Sequence, residues 1–296
     1  MFFGRTSTGK NWRKRWMNTQ SELGISENKF VQRTVITLLL IAFTVLLVYL
    51  FPDWLYCAVV VFFVAMGMLE FFRMVERKGI FVYKYFGTIA GSLIPVAVYM
   101  GNGFPGLENL EPLFIVIACL IAFTLQFTRR DNARDHLVSM SITLFALFYI
   151  GWFSSFIMKI KMLDNGANLV FFLVLVTKSA DIGAYLVGRK LGKNELLPRI
   201  SPKKTREGAL GGVIFSVFMA LVLGMFLTEF SFLHLIVLGV VVAALGQVGD
   251  LAESLIKRDC NVKDSGSYLA GIGGAFDVID SLLFTTPVFY FYVKTF

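Results

Sequence analysis

The chain has 296 residues, 56% of them hydrophobic and 16% charged, with a formal net charge of +8. Soluble domains carry about one quarter charged residues, so a single water-soluble globule is excluded, and repeated apolar runs point to an all-α polytopic integral membrane protein. Three cysteines, Cys57, Cys119 and Cys260, and two isolated histidines give neither a disulfide framework nor a Cys/His zinc spacing.

The first segment, 1–33, is a basic arm. No short apolar region with a small-residue cleavage site follows it, so it is read as a retained cytoplasmic arm. Region 34–158 carries five expected spans, at 34–51, 54–69, 85–100, 112–127 and 137–158. Only Pro52 and Asp53 separate the first two, which predicts a tight helical hairpin. Glu70, at the inner end of the second span, reads as a structural residue paired with Arg73, and His136 as an interfacial one. Region 159–296 carries four more spans, at 168–187, 209–227, 232–248 and 275–293, with cytoplasmic loops 188–208 and 249–274. With the N-terminus in the cytoplasm, 24 of the 28 Lys and Arg residues fall on that side. That asymmetry favours about nine transmembrane helices, N-terminus in and C-terminus out. No internal repeat is evident, which weakens a transporter built from inverted repeats.

Chemistry-bearing residues concentrate in the C-terminal region. Lys178 and Asp181, three apart in the sixth span, form a candidate intramembrane pair. Segment 197–208, LPRISPKKTREG, places Ser201, Lys203, Lys204, Thr205 and Arg206 in one loop, a patch suited to a triphosphate or an anionic lipid head group. Segment 246–280 holds Asp250, Glu253, Asp259, Asp264, Asp277 and Asp280 among Lys257, Arg258 and Lys263. Asp250 and Glu253 are three apart, as are Asp277 and Asp280, so each pair shares a helix face. Carboxylates brought that close repel unless a cation holds them, and a hard divalent ion such as Mg²⁺ is the natural partner. The competing reading makes Asp277 and Asp280 simple N-terminal capping acids. Gly271, Gly273 and Gly274 lead into the last span and predict free backbone N–H groups, an anion site, or else a re-entry loop.

These residues resemble a known family. Ser254, Lys257, Arg258, Lys263, Asp264, Gly273, Gly274, Asp277 and Asp280 match the signature of phosphatidate cytidylyltransferases, and the stretch 178–208, KSADIGAYLVGRKLGKNELLPRISPKKTREG, is similar to two further elements of that family. The family pattern has Pro-Gly-His before its Gly pair, where this chain has Ala270, Gly271 and Ile272, and an Arg after the first Asp, where Val278 stands. These apolar changes remove candidate phosphate or head-group contacts.

The resemblance implies transfer of a cytidylyl group from CTP to phosphatidate, giving CDP-diacylglycerol and pyrophosphate. Asp250, Asp277 and Asp280 become the expected metal ligands and, with Lys257, the catalytic set. Lys178, Asp181, Ser201, Lys203, Lys204, Thr205, Arg258, Lys263, Asp264, Gly273 and Gly274 become the expected substrate-binding set. Glu253 supports the acids and Asp259 is a bystander. Mg²⁺ is the expected cofactor, with a second, monovalent cation left open. CTP, phosphatidate and membrane lipid are the expected partners, in a homodimer, with no nucleic acid. The expected location is a bacterial plasma membrane, with the site facing the cytoplasm. Two alternatives stand beside this reading: a CTP-dependent polyprenol or phytol kinase-like enzyme, and a cation-coupled transporter using Asp181, Asp250 and Asp277.

Overall fold

The computed structural model describes residues 44–128, 135–266 and 274–296. The basic arm, most of the expected first span, Arg129, Arg130, Arg134 and the 271–273 glycine run lie outside them. The described chain runs through α1 (Asp53–Arg77), α2 (Lys84–Gly103), α3 (Leu110–Phe127), α4 (His136–Ala146), a π-helical stretch (Leu147–Trp152) that continues into α5 (Phe153–Lys161), α6 (Gly166–Leu191), strands β1 (Glu195–Leu197) and β2 (Ser201–Thr205), α7 (Arg206–Leu227), α8 (Phe232–Asp259) and α9 (Ala275–Thr295).

Seven of these helical segments are long and apolar enough to cross a membrane: α1, α3, α4 with α5, α6, α7, α8 and α9. The protein is an all-α polytopic membrane protein. The expected span 85–100 does form a helix, α2, but it is not one of those seven. It is rich in small residues, and Gly87 and Gly91 sit against Phe72 and Met68 of α1. Small side chains allow such close approach, and close packing is the main source of helix association in lipid.

Two expected loops are shorter than the spacing of apolar runs suggests. The 188–208 segment is cut from both sides by α6, which ends at Leu191, and α7, which starts at Arg206. Between them lies an antiparallel hairpin, with Glu195 opposite Thr205 and Leu197 opposite Ser201. The backbone of the expected SPKKT loop is therefore a strand. Glu207 ties down its base by accepting from the N–H groups of Lys193 (3.0 Å) and Asn194. The 249–274 segment is likewise helical as far as Asp259, because charge does not interrupt helical hydrogen bonding once the chain passes the apolar layer. Two apolar cores run through the bundle. One centres on Phe172, Leu173 and Phe289, the other on Met68, Phe72, Ile150 and Phe276.

A second polar contact lies at the other end of the bundle. Lys159 pairs with Glu111 at 2.7 Å, both largely buried, and lies 4.4 Å from the ring centre of Phe156. Trp152 donates to the same Glu111 carboxylate at 2.8 Å.

Candidate active site

Helical continuation of α8 past residue 249 decides the geometry. Asp250, Glu253 and Lys257 recur at spacings of three and four, so they share one face of α8. Arg258 falls off that face. It is exposed, and its guanidinium donates to the Val262 carbonyl at 3.5 Å. Lys257, expected in the catalytic set, thus faces the acids, and Arg258, expected to bind substrate, does not.

That face of α8 meets the first turns of α9. A methyl group added at Gly249 would lie 2.5 Å from the Asp280 carbonyl oxygen and 3.1 Å from the Ser281 Cα. The two backbones therefore touch at this point, and only glycine permits it. The contact brings Asp250 within hydrogen-bonding reach of Asp280, which is itself 6% exposed. One turn along, Glu253 comes within the same reach of Asp277.

Each carboxylate pair has its own amine. Lys257 Nζ lies 2.8 Å from Glu253 and 2.9 Å from Asp277. Lys204 Nζ, from β2, reaches Asp250 at 3.0 Å. Lys178, from α6, lies 3.2 Å from Asp181 and donates to Ser281 Oγ at 3.1 Å, in the field of Asp250 and Asp280. Four elements, α6, β2, α8 and α9, thus converge on one polar cluster. Lys178, Asp181, Lys204, Asp250, Glu253, Lys257, Asp277 and Asp280 come together there.

Others in the expected set are placed differently. Thr205 is the N-cap of α7, its hydroxyl accepting from the Gly208 N–H at 3.1 Å. Ser201 and Lys203 lie on β2, Lys203 exposed. Lys263 and Asp264 are exposed beside an open cleft of about 380 Å³ that they share with Arg77 and Ser265. Gly273 lies outside the described residues. The N–H of Gly274 is used internally, donating to Asp277 Oδ2 at 3.1 Å. The capping reading of Asp277 thus holds for one oxygen, while the other faces Lys257.

Asp259 is no bystander: it pairs with Lys78 at 2.5 Å and ties the end of α8 to the end of α1. Sequence reasoning missed the environment of Glu70. This side chain is fully buried, and it accepts from the N–H groups of Ala275 (3.0 Å) and Phe276 (2.9 Å) and from Ser265 Oγ (3.2 Å). The N–H groups of Ala275 and Phe276 are therefore taken, while Gly271 and Gly273 of the expected anion site lie outside the described residues. A lone Glu inside an apolar span was the available signal.

The residues suit a divalent cation in part. Asp250 and Asp280 abut, and among the described residues Glu253 Oε1 is buried without a hydrogen-bond partner. Neighbouring carboxylates with an orphaned buried oxygen are what a hard cation satisfies. Among the described residues, however, no three Asp, Glu, His or Cys side chains converge on a single point. The acids stand as two pairs, Asp250–Asp280 beside Lys204 and Glu253–Asp277 beside Lys257.

The cytidylyltransferase family model matches residues 31–296. The chain belongs to the cytidylyltransferase family. Its similarity to the phosphatidate cytidylyltransferase of Bacillus subtilis (strain 168) is 31% identity over 238 residues, 78% of this chain and 87% of that protein. The phosphatidate cytidylyltransferase of Synechocystis sp. is 30% identical over 269 residues, 81% of this chain and 88% of that one. The uncharacterized Escherichia coli (strain K12) protein YnbB is 37% identical over 196 residues, covering 63% of this chain and 65% of its own length. In this cytidylyltransferase the whole polar cluster lies inside the matched region.

Proposed function

We propose that this cytidylyltransferase transfers the cytidylyl group of CTP to phosphatidate at the cytoplasmic face of a bacterial plasma membrane. The observation that carries the reading is the convergence of Lys178, Lys204 and Lys257 on the Asp250–Asp280 and Glu253–Asp277 pairs. Two relatives are named phosphatidate cytidylyltransferases, and both CTP and phosphatidate are polyanions that a cluster of lysines suits. The cytoplasmic orientation rests on the distribution of Lys and Arg. The homodimer rests on the family resemblance.

A phosphate oxygen of phosphatidate attacks the α-phosphorus of CTP. The bond from that phosphorus to the α–β bridging oxygen breaks, and pyrophosphate leaves with the electron pair. The attacking oxygen is already ionised, so no general base is needed and in-line placement is the main demand. Lys204, on a hairpin strand, and Lys178, on α6, flank the Asp250–Asp280 pair and would receive phosphate oxygens there. Lys257 holds Asp277 and Glu253 in place from the opposite side. Asp250 and Asp280 would hold Mg²⁺. When bound, that ion would neutralise charge on the triphosphate as pyrophosphate departs.

The test is an assay with radiolabelled CTP and phosphatidate, with and without Mg²⁺. The expected products are CDP-diacylglycerol and pyrophosphate, with near-total loss in Asp250→Asn and Asp277→Asn proteins that still insert. Full activity in both variants refutes the carboxylate assignment. Release of CDP with a phosphorylated lipid would instead identify a kinase.

A further inference from the structure

Glu70 lies on α1, about 200 residues before the segment it binds. Gly67, three residues earlier on the same helix face, meets α9: a methyl group added there would lie 3.8 Å from Phe276 Cα and 3.2 Å from Ile279 Cδ1. The Glu70 carboxylate then fills the space at the start of α9. One oxygen accepts from Ala275 N–H, the other from Phe276 N–H and Ser265 Oγ. Gly266 and Gly274 line the same carboxylate. A methyl group at Gly266 would lie 2.5 Å from Glu70 Oε1, and one at Gly274 would overlap both Glu70 and Ser265 Oγ. Gly266 and Gly274 therefore both pack against a single buried side chain.

We propose that Glu70 is a positioning residue for the Asp277–Lys257 half of the site, fixing the first turn of α9 and both flanks of segment 267–273 from α1. The connection is short and continuous. Glu70 binds the N–H groups of Ala275 and Phe276; the adjacent Gly274 N–H binds Asp277 Oδ2; Asp277 Oδ1 binds Lys257, which binds Glu253. An α-helix N-terminus has unpaired N–H groups that need acceptors. A charged acceptor there is favoured by both the hydrogen bonds and the helix dipole. Here the acceptor comes from another helix, so capping α9 also sets its position relative to α1. Glu70 itself touches no reacting group.

The proposal rests on the cytidylyl-transfer reading for its activity arm but not for its structural arm. The full-length protein, in lipid nanodiscs, would be compared with Glu70→Gln and Gly266→Ala by steady-state kinetics and by amide hydrogen exchange. Glu70→Gln keeps the volume but replaces one acceptor oxygen with an NH₂ group facing N–H donors. Gly266→Ala keeps the carboxylate but displaces it. In both, turnover is expected to fall about 100-fold, as a misplacement of about 1 Å can cause, while KM for CTP stays within about threefold. Exchange at Ala275 and Phe276 is expected to rise about tenfold or more, with α7 unchanged. Wild-type turnover and exchange in both variants overturns the proposal, as does a loss carried by KM alone. If Glu70→Gln does not insert, Ser265→Ala decides, since it removes one donor without disturbing the core; unchanged exchange at Ala275 and Phe276 then overturns it. A wild-type protein that makes no CDP-lipid refutes the cytidylyl-transfer reading, and the exchange result still tests the role of Glu70.

Discussion

Gly249→Ala is the sharpest perturbation of the site that leaves every charged group in place. An added methyl group would lie 2.5 Å from the Asp280 carbonyl oxygen, whereas ordinary contact begins near 3.4 Å. The shortfall is 0.9 Å, and both obstructing groups belong to the α9 backbone, so no side-chain rotation relieves it. The helices must separate by something approaching that distance, just where Asp250 faces Asp280. Overpacking of this kind costs about 1–3 kcal/mol of stability. Displacing a catalytic constellation by about 1 Å costs up to about 100-fold in rate. The assay is turnover of labelled CTP with phosphatidate, alongside unfolding in mixed micelles. The expected result is a turnover drop far larger than the stability loss can explain, with the protein still inserted. Gly103→Ala is the control, because a methyl group there meets nothing within 4 Å. Wild-type turnover in Gly249→Ala would refute the claim that backbone contact sets the carboxylate geometry.

Lys257→Met removes the amine shared by Glu253 and Asp277 and leaves a largely buried acid pair uncompensated. The expected cost is about 2–4 kcal/mol, with loss of turnover, measured by unfolding in mixed micelles and by product formation. Glu111→Gln weakens the contact with Lys159 at the far end of the bundle. It is expected to lower stability by about 1.5–3 kcal/mol while turnover of the inserted protein stays near wild type. Chelation with EDTA is expected to abolish CDP-lipid formation and added Mg²⁺ to restore it; full activity after exhaustive chelation would remove the metal from the reading.

The sequence by itself determined the helices, the crowding of charge toward one set of helix ends, and the placing of Asp250 with Glu253 and of Asp277 with Asp280 on common faces. Those are local matters. Apolar run length marks a span, and a period of 3.6 residues fixes which neighbours share a side. The motifs at Lys178, Lys204, Asp250, Lys257 and Asp277 were legible from the clustering of charge and from the family resemblance, and the family match covers them all. Tertiary structure alone decided the cross-pairing. Asp250 meets Asp280, and Glu253 meets Asp277, because α8 touches α9 at Gly249, and nothing in either helix read separately sets that register. The same contact splits three expected metal ligands into two pairs with separate lysines. Thr205 became a helix cap because α7 begins one residue after it. Glu70 looked like a partner for Arg73, three residues away. The fold also delivered the start of α9 to it, where the N–H groups of Ala275 and Phe276 donate to the buried carboxylate.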